Sequence, residues 1–216
     1  MIDEATTIQN PVCGVFRAEK HYGGVTALAG VDLMVYPGLV HAVVGENGAG
    51  KSTLMKILAG AEQPDAGHIE IDEQRLTLHN VKQANDHGVA IVFQELSLFP
   101  DLDVLSNLFM LREPRRFGVV QRQLMRRQAA PILADLALEI DIDRPVGALK
   151  LSEQQLVEIA KALLSESKVL VLDEPNSALN AVETERLFGI VRKLRDRGVA
   201  VLYISHRLEE VFSIAD

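Results

Sequence analysis

Residues 39–53 read LVHAVVGENGAGKST, and this stretch decides the fold. An apolar run is followed by a glycine-rich turn and then by Lys51, Ser52 and Thr53, the strand, loop and helix start of a phosphate-binding P-loop. The glycines let successive backbone N–H groups point at a phosphate, and the helix start adds the positive end of its dipole. The residues predicted to bind a nucleotide here are Gly45, Glu46, Asn47, Gly48, Ala49, Gly50, Lys51, Ser52 and Thr53.

A P-loop assigns separate roles to its last residues. Lys51 is expected to reach the β- and γ-phosphates, while the hydroxyl of Ser52 is expected to bind Mg²⁺.

A second motif is acidic. The stretch VLVLDE at 169–174 brings two carboxylates to the end of a buried strand, where open α/β sheets bind ligands. Asp173 is placed to hold the magnesium shell, and Glu174 could polarise a water that attacks the phosphate.

Two further polar residues follow apolar runs in the same way. Gln94 comes after VAIVF at 89–93, and His206 comes after VLYIS at 201–205. Taken alone, each would more often be a structural residue with satisfied hydrogen bonds. Since parallel strands end at one edge of a sheet, both are expected beside the phosphates.

Composition narrows the class of protein. The chain has 216 residues, 48% of them apolar, and a formal charge of −8, which argues against a protein that coats nucleic acid. A single cysteine, Cys13, excludes an internal disulfide. No apolar stretch reaches the ~20 residues that cross a bilayer, so we expect a soluble, cytoplasmic chain. The arginines crowded into residues 112–127 are interpreted as a solvated helix face.

The order of patterns predicts an α/β fold. Strands are expected at 12–22, 31–36, 39–45, 89–93, 169–173 and 199–205, with a β pair within 67–78. Helices are expected from Lys51, near 80–87, at 122–138, at 152–164 and at 183–196. The predicted organisation is one nucleotide-binding domain, 1–216, with 98–165 as an inserted helical subdomain between 1–97 and 166–216.

Together these motifs resemble an ATP-binding-cassette (ABC) ATPase over essentially the whole chain. The matching elements are the P-loop, VFQELSLFP with Gln94 in the Q-loop, VLVLDEP as the Walker B strand, SALN at 177–180 as the D-loop and YISHRL with the switch histidine His206. Tyr22 lies where the family stacks an aromatic ring on adenine. The resemblance implies ATP and Mg²⁺ as cofactors, metal contacts from Ser52, Gln94 and Asp173, and catalytic roles for Glu174, His206 and Gln94. It also implies a P-loop core with an antiparallel β subdomain and an inserted α-helical subdomain.

Longer stretches narrow the resemblance to sugar-import cassettes of the ribose, galactose and xylose type. They are GVTALAGVDL, GENGAGKSTLMKILAG, REPRRFG, QQLVEIAKAL and ISHRLEEVF. This subgroup implies a second cassette in the same polypeptide, membrane permease subunits and, indirectly, an external solute-binding protein. The implied location is peripheral, on the cytoplasmic face of the inner membrane. The sequence ends at Asp216, soon after His206, so a C-terminally truncated domain is expected.

The signature motif, close to LSGGQ in the family, departs from the pattern. Counting back from VEIAKAL places it on Leu149-Lys150-Leu151-Ser152-Glu153, so that Lys150 replaces the serine and Ser152 the second glycine. The other register, Leu151-Ser152-Glu153-Gln154-Gln155, requires a two-residue deletion before the helix. Asn176, where the family usually has threonine, is a smaller departure.

Three other functions remain open on these residues. A cytosolic cassette ATPase acting on ribosomes or DNA would call for a basic insertion, which this acidic chain lacks. A GTPase or kinase would leave Gln94 and His206 unexplained. A non-catalytic nucleotide-binding regulator would suit the altered signature but not the intact Glu174 and His206.

Overall fold

The computed structural model describes residues 10–46, 48–165 and 167–216. The elements up to residue 92 are, in chain order, β1 (Cys13–Tyr22), β2 (Val25–Val35), β3 (Val40–Val43), α1 (Lys51–Leu58), β4 (Ala66–Ile71), β5 (Gln74–Leu76), α2 (Val81–Asp86) and β6 (Val89–Val92). Those that follow are α3 (Val104–Leu108), β7 (Arg115–Arg116), β8 (Val119–Val120), α4 (Arg122–Asp135), a 3-10 turn (Val146–Ala148), α5 (Leu151–Leu163), β9 (Val169–Asp173), α6 (Ala181–Asp196), β10 (Ala200–Ile204) and α7 (Leu208–Ile214).

A parallel sheet in the order β3-β10-β9-β6 forms the centre of the fold. Every residue of β9 and β10 is buried, which is why both read as uninterrupted apolar runs. The register pairs Ile204 of β10 with both Val43 of β3 and Asp173 of β9. The loops that follow these strands therefore leave the sheet at one edge.

An antiparallel sheet in the order β2-β1-β4-β5 makes the second layer. Its apolar face shares a core with the buried side of α1 (Leu54, Met55, Ile57 and Leu58) and with one face of the parallel sheet. Cys13 lies in this core, and burial raises the pKa of its thiol to about 12, so it remains a protonated, unreactive packing residue. The predicted combination of a P-loop core with an antiparallel β layer is confirmed.

Helices α3, α4 and α5 pack with the other face of the parallel sheet in the larger core. Two local predictions for this part of the chain were wrong. It includes a short hairpin, β7–β8, and α4 ends at Asp135 instead of continuing to residue 138. Ala137 takes a positive φ of 48°, which a continuing helix cannot accommodate.

The arginines of residues 112–127 do not form one solvated helix face, so that interpretation was also wrong. Arg112 donates to the carbonyl of Lys161 at 2.8 Å, and Arg115 lies on the hairpin. Arg122 of α4 pairs with Asp103 at 3.0 Å, and Arg126 pairs with Asp143 at 2.7 Å. The α4 arginines therefore tie the helix to neighbouring loops.

Candidate active site

A cavity of about 410 Å³ opens where the P-loop and the ends of the parallel strands meet. Its lining is Tyr22, Ala27, Gly48, Gly50, Lys51, Ser52, Thr53, Gln94, Glu174 and His206. All of these except Ala27 were predicted as site residues from the sequence. Of the other predicted P-loop residues, Gly45, Glu46 and Ala49 belong to the same loop, and Asn47 lies outside the described residues.

The P-loop backbone depends on glycine at position 50. Gly50 has a φ of 84°, and a Cβ there would lie 2.4 Å from the carbonyl oxygen of Ala27. Only glycine combines this left-handed conformation with so close an approach. Lys51 Nζ donates to the carbonyls of Gly45 at 2.7 Å and Glu46 at 2.9 Å, so its ammonium group lies over the loop. No described side chain caps α1, which leaves its first N–H groups to a ligand.

Glu174 is the meeting point of the two residues that follow the other strands. Its Oε1 lies 3.0 Å from Nδ1 of His206, and its Oε2 accepts a hydrogen bond of 3.3 Å from Nε2 of Gln94. Glu174 also has a positive φ of 47°, which is strained for a residue with a side chain. Residues with strained backbones occur often at functional sites. Of the three predicted catalytic residues, Gln94 and His206 thus each contact Glu174.

Asp173, the last residue of β9, is only 5% exposed beneath the loop. Burial, and then the charge of Glu174, raise the pKa of its carboxyl, against the opposing effects of Lys51, Lys56 and a hydrogen bond with Ser52. A cation would relieve this unfavourable negative charge. The described residues contain no cluster of three or more His, Cys, Asp or Glu side chains that could cage a metal. One carboxylate with a neighbouring hydroxyl fits Mg²⁺, which usually keeps waters and substrate phosphates as its other ligands.

Tyr22 borders the cavity and is 44% exposed. Its hydroxyl donates to Glu62, and the Nζ of Lys20 lies 5.7 Å from its ring centroid. Sequence reasoning missed Glu62 and Ala27, for which no motif gives a signal. The hydrogen bond to Glu62 and the contact with Lys20 orient the Tyr22 ring, which can stack on a flat base.

The predicted signature residues lie at the start of α5 and do not line this cavity. Lys150 is the N-cap residue, and its backbone N–H donates to Glu153 Oε2 at 2.8 Å. Leu151 is the first helical residue and is exposed, whereas Ser152 is the second. This helix start is therefore available to a neighbouring molecule.

A hydrogen-bonded cluster around the buried Glu158 joins α5 to the segment after Gln94. Ser97 donates to the Glu158 carboxylate through its Oγ at 2.6 Å and through its backbone N–H at 3.2 Å. Lys161 Nζ donates to Ser97 Oγ at 2.9 Å. The body of α5 and the segment after Gln94 are thus joined by hydrogen bonds.

Comparison with known proteins agrees with this geometry. A family model described as ABC transporter matches residues 28–177. The chain is 48% identical over 215 residues to ribose import ATP-binding protein RbsA 1 of Streptomyces coelicolor, covering 99% of this chain and 43% of that protein. It is 50% identical over 208 residues to RbsA 2 of Rubrobacter xylanophilus, covering 95% of this chain and 40% of that protein. The chain therefore spans less than half the length of these curated relatives.

Solved structures show the same architecture. A nucleotide-free ATP-binding cassette from an ABC transporter superposes with a TM-score of 0.83 at 27% identity, covering 95% of this chain and 85% of that one. The ADP conformation of an ATP-binding cassette gives a TM-score of 0.81 at 27% identity, with the same coverage. The fold, the cavity and the matched family model agree, and the chain belongs to the ABC transporter family.

Proposed function

We propose that this chain binds and hydrolyses ATP as the first cassette of a sugar importer. The observation that carries the proposal is the single cavity in which Lys51, Glu174 and His206 meet. Phosphoryl transfer depends on positioning and on charge stabilisation, and these residues supply both. Curated relatives named as ribose import ATP-binding proteins support a monosaccharide as the transported solute.

Each residue has a distinct task in hydrolysis. Lys51 and the P-loop N–H groups bind the β- and γ-phosphates, and Tyr22 stacks on the base. Asp173, Ser52 and Gln94 would hold Mg²⁺, which when bound supplies positive charge beside the phosphate oxygens. Glu174 orients and polarises the attacking water, and His206, hydrogen-bonded to Glu174, keeps that carboxylate in place.

Partners and location follow from the proposed transport role. The cassette would bind membrane permease subunits at the cytoplasmic face of the inner membrane, with a solute-binding protein acting through the permease. Among the described residues, no helix is long and apolar enough to span a bilayer. A second cassette would complete the site, because cassettes of this family pair with one P-loop facing the partner's signature.

We infer that the signature of this chain is Leu149-Lys150-Leu151-Ser152-Glu153. Lys150 stands at the N-cap of α5, the position from which a helix start addresses an anion. The other register would end on Gln155, which is 1% exposed and faces the core. In the favoured register the helix start presents Lys150 and Ser152 to the second cassette.

Substitution of Lys51 tests the proposal directly. Lys51→Ala removes a charge-assisted contact to phosphate and should weaken Mg-ATP affinity by roughly a hundredfold. Isothermal titration calorimetry measures this, with Lys82→Ala as the matched control because Lys82 lies on α2 and pairs with Asp86. Equal ATP affinity in wild type and Lys51→Ala would refute the proposed nucleotide site.

A further inference from the structure

A row of buried polar side chains lies behind Glu174 and His206. Its members are Asn176, Tyr203, Ser205 and Glu210, each less than 8% exposed. Asn176 Nδ2 donates to Tyr203 Oη at 2.7 Å, and Tyr203 Oη donates to Glu210 Oε2 at 2.9 Å. Ser205 Oγ donates to the same carboxylate oxygen at 2.9 Å. The four side chains therefore form one continuous hydrogen-bonded row.

The two ends of this row lie next to the two catalytic residues. Asn176 is two residues after Glu174, and Ser205 immediately precedes His206. His206 Nδ1 in turn lies 3.0 Å from Glu174 Oε1. The row, the short backbone links and this last contact close a loop, which we call the hydrogen-bond ring.

Packing is incomplete on one side of the ring. A cavity of about 240 Å³ lies between its members, lined by Glu174, Asn176, Ser177, Ser205, His206, Arg207 and Glu210. Side chains that border a cavity lose dispersion contacts on that side. Strand pairing aligns β9 and β10 as far as the Glu174 N–H, which donates to the Ile204 carbonyl at 3.0 Å. Beyond that point, the side-chain hydrogen bonds of the row link the two loops that carry Glu174 and His206.

The charges keep the ring in a single arrangement. Burial, and then the hydrogen bond and charge of Glu210, raise the pKa of Tyr203, so its hydroxyl stays protonated and donates. Arg207 Nη1 lies 2.6 Å from Glu210 Oε1, which offsets the carboxylate charge, although that oxygen accepts no hydrogen bond from any described residue. Tyr203 Oη and Glu210 thus have defined donor and acceptor roles.

The fold alone does not require these groups. The Tyr203 ring packs edge-on against Phe188 with 5.9 Å between centroids, and phenylalanine would keep that contact. A buried carboxylate is expensive, and an apolar residue of similar size often serves stability at least as well. A polar row in this place therefore points to a role beyond packing.

We propose that Asn176, Tyr203, Ser205 and Glu210 are positioning residues that hold His206 against Glu174 for attack by water. The inference rests on the proposed ATPase function and assigns to each member a task in turnover, with no direct contact to the nucleotide. Opening the ring should let the carboxylate and the imidazole drift apart while the P-loop remains intact.

Tyr203→Phe opens the ring with the loss of one oxygen atom. We expect kcat for ATP hydrolysis to fall about tenfold, because small displacements of catalytic groups are costly, while ATP affinity changes less than about twofold. The measurement uses the natural polypeptide that contains this chain, assembled with its permease. Tyr36→Phe is the matched control, because its hydroxyl contacts only Met34 Sδ among the described residues.

A second pair of variants separates a ring from independent contacts. Asn176→Ala and Ser205→Ala remove different bonds at opposite ends of the row, so each opens the ring. We expect kcat of the double variant to be no lower than that of the more impaired single variant. If the contacts were independent, two losses of about tenfold would multiply to about a hundredfold. Multiplying losses, or a Tyr203→Phe enzyme with the kcat of Tyr36→Phe, would overturn the ring. A wild-type protein that hydrolyses no ATP overturns the proposed function itself, and the ring with it.

Discussion

Asp173 shows how a single residue can be favourable for a ligand and unfavourable for the fold. Burial and the charge of Glu174 raise the pKa of its carboxyl. The folded protein therefore holds the Asp173 proton more tightly than the unfolded chain does. The resulting stabilisation is present below the unfolded pKa, about 3.9, and is lost as pH rises through the folded value. At neutral pH the ionised carboxylate destabilises the nucleotide-free protein.

We therefore expect Asp173→Asn to raise the melting temperature of the nucleotide-free protein at pH 7, with the gain shrinking as pH is lowered. The same variant should weaken magnesium-dependent ATP binding, because an amide is a poorer ligand for Mg²⁺ than a carboxylate. Thermal unfolding across pH and calorimetry measure the two effects. Asp86→Asn, at an exposed position on α2, is the control. A lower melting temperature in Asp173→Asn at pH 7 would contradict the argument.

The sequence identifies residues whose role is set by a motif. Lys51, Glu174 and His206 could be predicted because each belongs to a motif that begins with an apolar strand. The strands of the parallel sheet then end at one edge. Ala27 and Glu62 could not be predicted. Ala27 reaches the cavity because β2 passes Gly50. Glu62 contacts the cavity residue Tyr22 by a hydrogen bond between residues 40 positions apart in the sequence. Such contacts depend on tertiary geometry that no local pattern encodes.

Among the elements, α5 illustrates how a helix is tied to a functional loop. Glu158→Ala should lower the free energy of unfolding by about 1–2 kcal/mol, because it removes two hydrogen bonds that Ser97 donates to a carboxylate only 4% exposed. Urea unfolding measures the change. Glu185→Ala, an exposed position on α6, should stay within about 0.5 kcal/mol of wild type. Equal losses in the two variants would mean that the contact with Ser97 contributes nothing.

Buried and exposed strands differ in how clearly the sequence reveals them. Strands β9 and β10 were predicted because burial on both faces leaves only apolar residues. The first half of β2 was missed: residues 25–30 are largely exposed, and their pairing with β1 defines the strand. The β7–β8 hairpin was missed because its strands are two residues each and its turn places Phe117 at a φ of 52°. Pairing partners, and not local periodicity, decide such elements.

In the molecule as a whole, the described ATP-site residues meet in one cavity, whereas the proposed signature departs from the family pattern. In the proposed head-to-tail pair, the start of α5 would face the nucleotide held by the second cassette. The N–H of Lys150 is already committed to Glu153, and Ser152 places a side chain where glycine would permit a closer backbone approach. The lysine also lacks the compact hydroxyl of the serine it replaces. The site that this helix closes should therefore be weak.

Catalysis should then concentrate on the site built from Lys51 and Glu174, which the second cassette's signature would close. In the proposed two-cassette protein assembled with its proposed permease, we expect Lys51→Ala to remove nearly all steady-state ATPase activity. Restoring the motif with Lys150→Ser and Ser152→Gly together should change that activity less than about twofold, because the site it repairs is not the productive one. Two equivalent sites would instead leave about half of the activity in Lys51→Ala and would gain from the restored motif, since each would then contribute its own transition-state stabilisation. Steady-state phosphate release from these two variants, compared with wild type at saturating Mg-ATP, therefore decides between one productive site and two.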